Sequence, residues 1–324
     1  MAATREPTQS GRALRATPWR DGWRRLRRNR PAAISALVLL GLLCGCVLVP
    51  WLSHWRYAEA ALATGATPPS WAHWMGTDEF GRDLMARAFF GGRISLSVGL
   101  VATLVSGVIG VGWGGVAGYF GRRVDAIMMR IVDVLYAFPF LILVILLTVF
   151  FANRDGALYG SYARVLGWFV RDPRDPAYFP YFQIVFVFVA LGGISWLTMA
   201  RIVRGQVMAL REQPFVEAAR SLGVGHLGII FRHLLPNSLG PIIVYGTLTV
   251  PQVILTETFL SFLGLGTQEP LSSWGMLVSA GAENMGVYPW MLIFPALMLA
   301  TTIICLNFLG DGLRDALDPR GRRA

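Results

Sequence analysis

The feature that most constrains this chain is a set of long stretches without formal charge. No Asp, Glu or Arg lies between Arg30 and Arg56, between Arg93 and Arg122, between Asp175 and Arg201, from Leu234 to Thr256, or between Glu283 and Asp311. A sixth apolar stretch, Ile131 to Asn153, carries one acid, Asp133, near its start. Crossing hydrocarbon takes about 20 residues of helix, because no water is there to satisfy an open backbone. Each stretch reaches that length, so the expected fold is all-α, a polytopic membrane protein with six transmembrane helices. Only 15% of the 324 residues are charged, against about 25% in a typical soluble domain. A water-soluble globule and a disordered chain are both excluded.

The charge that remains is informative. All 29 basic residues are arginine. Without lysine the chain cannot build a phosphate-cradling P-loop, so any ATP that drives it is hydrolysed elsewhere. A net charge of +10 could suggest nucleic acid, but the arginines sit at the ends of apolar runs, where lipid headgroups are the natural partners. Threading six spans from an inner N-terminus leaves 21 arginines inside and 8 outside. The positive-inside bias therefore puts both termini in the cytoplasm.

Smaller signals add local detail. Thr17 and Pro18 suit a helix start, and Trp19, Trp23 and Leu26 recur at helical spacing with arginines opposite. That pattern fits an interfacial helix in the inner headgroup layer. Ala61-Leu62-Ala63 has the shape of a signal-peptidase site, but the apolar region before it is too long and Glu59 sits just ahead. Cys44, Cys46 and Cys305 lie within apolar runs and read as small apolar side chains. Gly110, Gly114 and Gly118 form a four-residue stripe that lets a neighbouring helix come close. His54, His73, His226 and His233 fall on both sides of the membrane and cannot form one metal site. Asp78, Arg82 and Asp83 read as an ion-paired turn. Glu257 is an intramembrane carboxylate; it could line a transport path or close a helix end as a buried hydrogen-bonding group.

The segment Arg201 to Pro236 is too polar to span yet reads as structured. Pro214 suits a helix start, Phe215-Val216-Glu217-Ala218-Ala219 continues it, and Gly223 can end it in a left-handed cap. A second run, His226 to Leu235, continues to Pro236, where the next span is expected to begin.

Glu217-Ala218-Ala219, three residues, Gly223, and later Leu235-Pro236 resemble the cytoplasmic signature of membrane subunits of ABC importers. The general pattern has isoleucine three residues before the proline, where this chain has His233. Further strings are similar to the dipeptide and oligopeptide permease family: Gly76-Thr77-Asp78-Glu79-Phe80-Gly81-Arg82-Asp83, Gly91-Gly92-Arg93-Ile94-Ser95, Leu260 to Gly266, Ser273-Trp274-Gly275, and Gly310 to Pro319. The string Gly266 to Gly275 is particularly similar to the C-type oligopeptide permease subunit. The resemblance covers roughly Pro18 to Pro319 and departs at Asn153 to Pro180, a longer and more polar outer stretch.

The resemblance implies a permease subunit that does no covalent chemistry and binds no cofactor itself. It implies a second homologous permease, two ABC ATPase subunits that hold ATP and magnesium, an extracytoplasmic peptide-binding protein, and a peptide substrate in the plasma (inner) membrane. Glu217, Ala218, Ala219, Gly223, Leu235 and Pro236 are then the ATPase-coupling residues, and Glu257 a candidate for the translocation path. The implied division is a basic tail with an interfacial helix over 1–30, a first span over 31–55 and an outer loop over 56–93. A five-span core over 94–310 follows, containing the coupling loop 201–236, and then a cytoplasmic tail over 311–324. A nickel or other small-solute permease would share these signatures. A proton-coupled transporter would need titratable groups near mid-membrane, whereas Asp133 and Glu257 lie near span ends. An intramembrane enzyme would need a nucleophile–base or metal pair, and none is apparent.

Overall fold

The computed structural model describes residues 24–151, 156–170, 172, 175 and 178–317. Within them the fold is helical; the only strand-like pairing is one isolated bridge between Thr77 and Asp83. Residues 24–28 are helical and Leu26 packs near Gly312 at the far end of the chain. The expected interfacial helix from Thr17 to Trp23, the loop prolines Pro173 and Pro176, and Asp318-Pro319 lie outside the described residues.

The first span, α1 (Arg30–Leu52), opens with the Asn29 side chain accepting from the Ala32 N–H and with proline in its first turn. Pro50 inside the helix has no N–H to give the Cys46 carbonyl. Arg93 of the next helix supplies the missing donor: its guanidinium donates to the carbonyls of Cys46 and Val47. That helix, α2 (Leu84–Phe120), starts at Asp83, whose carboxylate accepts from the Ala86 N–H at 2.7 Å. Its 37 residues make it about 55 Å long, well beyond a hydrocarbon layer of about 30 Å. It therefore carries the span and an extension past the membrane face.

After a turn at Gly121, where φ is +63°, come α3 (Arg122–Ala137) and α4 (Phe140–Phe151). This corrects the expectation of one continuous span from Ile131 to Asn153. Pro139 pushes Phe138 into extended backbone, with ψ of 136°, because the proline ring clashes with a helical predecessor. The axes on either side of the break differ by 88°. Helix α3 is pinned to the following long helix by Asp125 with Arg204 and by Asp133 with Arg201 at 2.7 Å. The outer stretch holds a short helix, α5 (Ala157–Leu166), whose Tyr159 and Tyr162 cluster with Phe179, Phe182 and Phe186.

Helix α6 (Phe179–Leu210) runs nine residues beyond the start expected for the cytoplasmic loop. It packs along the glycine stripe of α2. A Cβ on Gly110 would lie 2.6 Å from the Met199 Cβ, and one on Gly118 would lie 2.8 Å from the Arg204 carbonyl oxygen. Gly114 faces the Ala200 carbonyl in the same way, and on α6 Gly192 meets the Ala102 carbonyl. The stripe is a close-packing seam, as its spacing suggested. Next come α7 (Pro214–Ser221), α8 (His226–Gly228), a π-helical turn over Ile229–Leu234, and α9 (Leu235–Asn237). The fifth span, α10 (Leu239–Phe262), begins after Pro236 rather than at it. An outer helix α11 (Trp274–Glu283) and the last span α12 (Trp290–Leu317) complete the fold. Among the described residues five helices are long and apolar enough to cross a membrane, and six spans result if the bent pair α3–α4 is one of them.

Candidate functional site

Three places carry the polar chemistry of the fold. The first is the loop between α6 and α10. Helix α7 starts with proline in its first turn and puts Glu217 there too, where the helix dipole favours an acid. It ends in a two-bond left-handed cap: the Gly223 N–H donates to the Arg220 carbonyl at 2.9 Å, and the Val224 N–H to Ala219 at 3.1 Å. Gly223 has φ of +77°, and a Cβ built there would meet nothing within 4 Å. Its glycine is required by backbone angle and not by space.

One face of α7 is packed. Val216 and Ala219 are buried with Val203 and Val207 of α6, Ile229, Ile230 and Leu234 of the π turn, Leu235, and Tyr119 at the end of α2. The Tyr119 hydroxyl meets His226 Nδ1 at 2.7 Å, tying α8 to α2. The other face is open. Glu217 and Ala218 are exposed, as are Arg220, Gly223 and Pro236. Among the described residues the Glu217 carboxylate has no hydrogen-bonding or ionic partner. Around it lie the exposed apolar side chains Phe215, Leu222, Leu227 and Phe231, Leu222 being 84% exposed. The six residues singled out in the sequence thus divide: Ala219 and Leu235 anchor the loop inward, and the other four lie on its surface. The apolar rim and the Tyr119–His226 tie were missed. The rim could have been read from helical spacing, whereas the tie joins residues 107 apart and has no local signal.

The second place is the cluster around the start of α2. Asp78 accepts from the N–H groups of Phe80 and Arg82, from Arg82 Nε at 2.6 Å, and pairs with Arg87 at 3.4 Å. Both arginines also reach Glu269, at 2.8 and 3.5 Å, across some 180 residues of chain. Asp83, besides capping α2, pairs with His73 at 2.9 Å. The ion-paired turn expected there is real, and Glu269 is the member that spacing could not supply. Just inward, Glu257 is completely buried. Its carboxylate accepts from Ser261 at 2.6 Å, Thr267 at 3.3 Å and Ser95 at 3.4 Å. Ser95 also accepts from the Trp274 N–H, and Ser273 lies 3.3 Å from Ser261.

The third place is a cavity of about 380 Å³ beside the α3–α4 break, walled by α6 and α10. Thr249, Gln252, Val253 and Thr256 of α10 line it; Glu257 does not. Among the described residues no group of three or more His, Cys, Asp or Glu is placed to hold a metal.

Residues 110–323 match the model of the family described as binding-protein-dependent transport system inner membrane component, and residues 17–69 match the N-terminal transmembrane domain of oligopeptide transport permease C. The chain belongs to this family of transport permeases. It is 46% identical to the oligopeptide transport system permease protein OppC of Escherichia coli (strain K12), over 96% of this chain and 93% of that one. It is 43% identical to the dipeptide transport system permease protein DppC of Bacillus subtilis (strain 168), over 94% and 86%. Among solved structures, the MetNI methionine ABC transporter in an inward-facing conformation covers 72% of this chain and 96% of its own at 20% identity, with a TM-score of 0.46. The expected family, the all-α membrane fold and the role of transport permease subunit are thereby borne out, and the protein is a multi-pass membrane protein.

Proposed function

We propose that this chain is one of two membrane-spanning subunits of an ATP-driven importer, forming part of the path for oligopeptides or dipeptides delivered by an extracytoplasmic binding protein. The peptide assignment is supported by the named substrates of its relatives. ATP and magnesium belong to two separate ATPase subunits, and this chain does no covalent chemistry. The arginine bias supports cytoplasmic N- and C-termini, so the α6–α10 loop faces the ATPases.

The observation that carries this reading is the two-sidedness of α7. Its inner face is fused by packing to the cytoplasmic ends of α2 and α6 and to the π turn that leads into α10. Its outer face holds an unpaired carboxylate within an apolar rim. Closure of the ATPases on ATP displaces α7, and a close-packed interior passes that displacement to the spans instead of absorbing it. The path then opens to each side in turn.

The test is Gly223→Pro. Proline cannot adopt a positive φ and removes the N–H that closes the cap. Membrane insertion should persist, while co-purification of the ATPase subunits and peptide-stimulated ATP hydrolysis in reconstituted membranes are lost. Full ATPase binding and stimulation in this variant would overturn the assignment of α7 as the coupling helix.

A further inference from the structure

We propose that the cavity beside the Phe138–Pro139 break is the peptide-contacting stretch of the translocation path, and that Gln252 is its central residue, gripping peptide backbone without regard to side-chain charge. This rests on the peptide-import reading above and adds where and how the substrate is held.

Gln252 lies midway along α10, and its side chain is exposed although the helix is a membrane span. Among the described residues its side-chain amide makes no hydrogen bond; its backbone, besides its helical bonds, accepts from the Thr256 hydroxyl at 2.9 Å. An amide left without partners in an apolar medium is unfavourable. In the fold Gln252 is not turned to lipid alone: it lines the cavity. It offers two N–H donors and one carbonyl acceptor, the complement of a peptide group.

The neighbouring hydroxyls are biased toward accepting. Ser195 donates to the Leu191 carbonyl at 2.7 Å, Thr249 to Tyr245 at 2.9 Å and Thr256 to Gln252. With their protons committed to their own helices, these oxygens present lone pairs. Tyr136 and Thr198 hydrogen-bond each other, joining α3 to α6 at the cavity wall. The lining therefore accepts from peptide N–H groups and from an α-ammonium, with Gln252 able to donate to peptide carbonyls. No Asp, Glu, Arg or His is among the described lining residues. The nearest pair, Asp133 with Arg201, is self-neutralising, and Arg201 lies over the Tyr136 ring at 4.1 Å. A neutral wall discriminates little between acidic and basic peptides, and it offers none of the carboxylate or imidazole ligands that a divalent cation prefers.

The experiment uses the assembled importer, with its partner permease, ATPases and binding protein, in proteoliposomes. Uptake of labelled tripeptides with a neutral, an acidic or a basic central residue is measured beside ATP hydrolysis stimulated by loaded binding protein. Gln252→Leu should lower uptake of all three peptides alike, about tenfold for the loss of hydrogen bonds to substrate, with stimulated ATP hydrolysis retained. Gln252→Glu should instead split the series, favouring the basic peptide over the acidic one by about tenfold, because a charge now faces the path. Wild-type rates in Gln252→Leu, or equal rates for all three peptides in Gln252→Glu, would overturn the proposal. Should Gln252→Leu fail to assemble, the split in Gln252→Glu decides alone. A wild-type importer that hydrolyses ATP but moves none of the peptides would overturn the peptide-import reading instead.

Discussion

The two polar ends of the molecule are built on opposite plans. Around the start of α2 a cluster of charges is used up within the chain: Asp78, Arg82, Arg87 and Glu269 neutralise one another, Asp83 caps α2 and pairs with His73, and Glu257 is enclosed by hydroxyls. On the α7 loop Glu217 is left unpaired among the described residues, and Leu222, Leu227 and Phe231 are left uncovered. Both ends are packed where they meet the spans, so the difference is not one of packing. A region that satisfies its own groups can hold a shape alone, and a region that leaves groups open is finished by a partner. The cluster at the start of α2 is a self-contained closure, and in the proposed importer the α7 loop is half of an interface.

The sharpest way to break this contrast is Asp78→Ala. It removes the shared acceptor of two backbone amides, of buried Arg87 and of half-buried Arg82, and leaves the two positive charges facing each other. Breaking a buried pair typically costs about 3–5 kcal/mol. The thermal unfolding midpoint in detergent should fall markedly, and α7 should still bind the ATPases in whatever fraction remains folded. An unchanged midpoint would mean that the outer cluster does not hold the fold.

A middle-sized effect is expected at the inner end. Glu217→Ala should move the unfolding midpoint little, because within the chain the carboxylate loses only its interaction with the α7 dipole, worth about 0.3–1 kcal/mol. A charge-assisted hydrogen bond to the ATPase is worth about 1.5–3 kcal/mol. Titration of the ATPase onto the purified permease pair should therefore show affinity lowered by about ten- to a hundredfold. A drop in stability with docking intact would reverse the distinction between the two ends.

The smallest effect is expected at Glu257→Gln, which sharpens the comparison. An amide oxygen can keep accepting from Ser261 and Thr267, so a group that serves only as an internal tie should tolerate the exchange. Stability should change by less than about 1 kcal/mol, and peptide uptake should stay near wild type. Loss of uptake with assembly intact would place Glu257 on the path.

What could be read from the residues beforehand follows the reach of each signal. Span number, the Gly110–Gly114–Gly118 seam and the turn chemistry of Pro214 and Gly223 depend on neighbours within a few positions, and all are visible in a single chain. The break at Pro139 was equally local. It was passed over because an unbroken apolar run from Ile131 to Asn153 satisfies the length criterion whatever its backbone does. Helix α5 was hidden for the converse reason, since its stretch looked merely polar while its aromatic side chains pack against α6. The joining of Arg82 to Glu269, of Tyr119 to His226, and of three separate segments around the cavity are long-range facts. No spacing rule reaches them, because the pairs become neighbours only after the helices have packed.

The bond from Arg93 to the carbonyls of Cys46 and Val47 has a consequence for biogenesis. The first span leaves the ribosome with a defect at Pro50, a carbonyl that its own helix cannot satisfy, and the arginine that repairs it is encoded in the second span. Neither is comfortable in lipid alone: one brings an unmatched acceptor, the other an unmatched cation. Each span is therefore completed by the other, and the backbone of the first is fully satisfied at Pro50 only once the hairpin of α1 and α2 has closed.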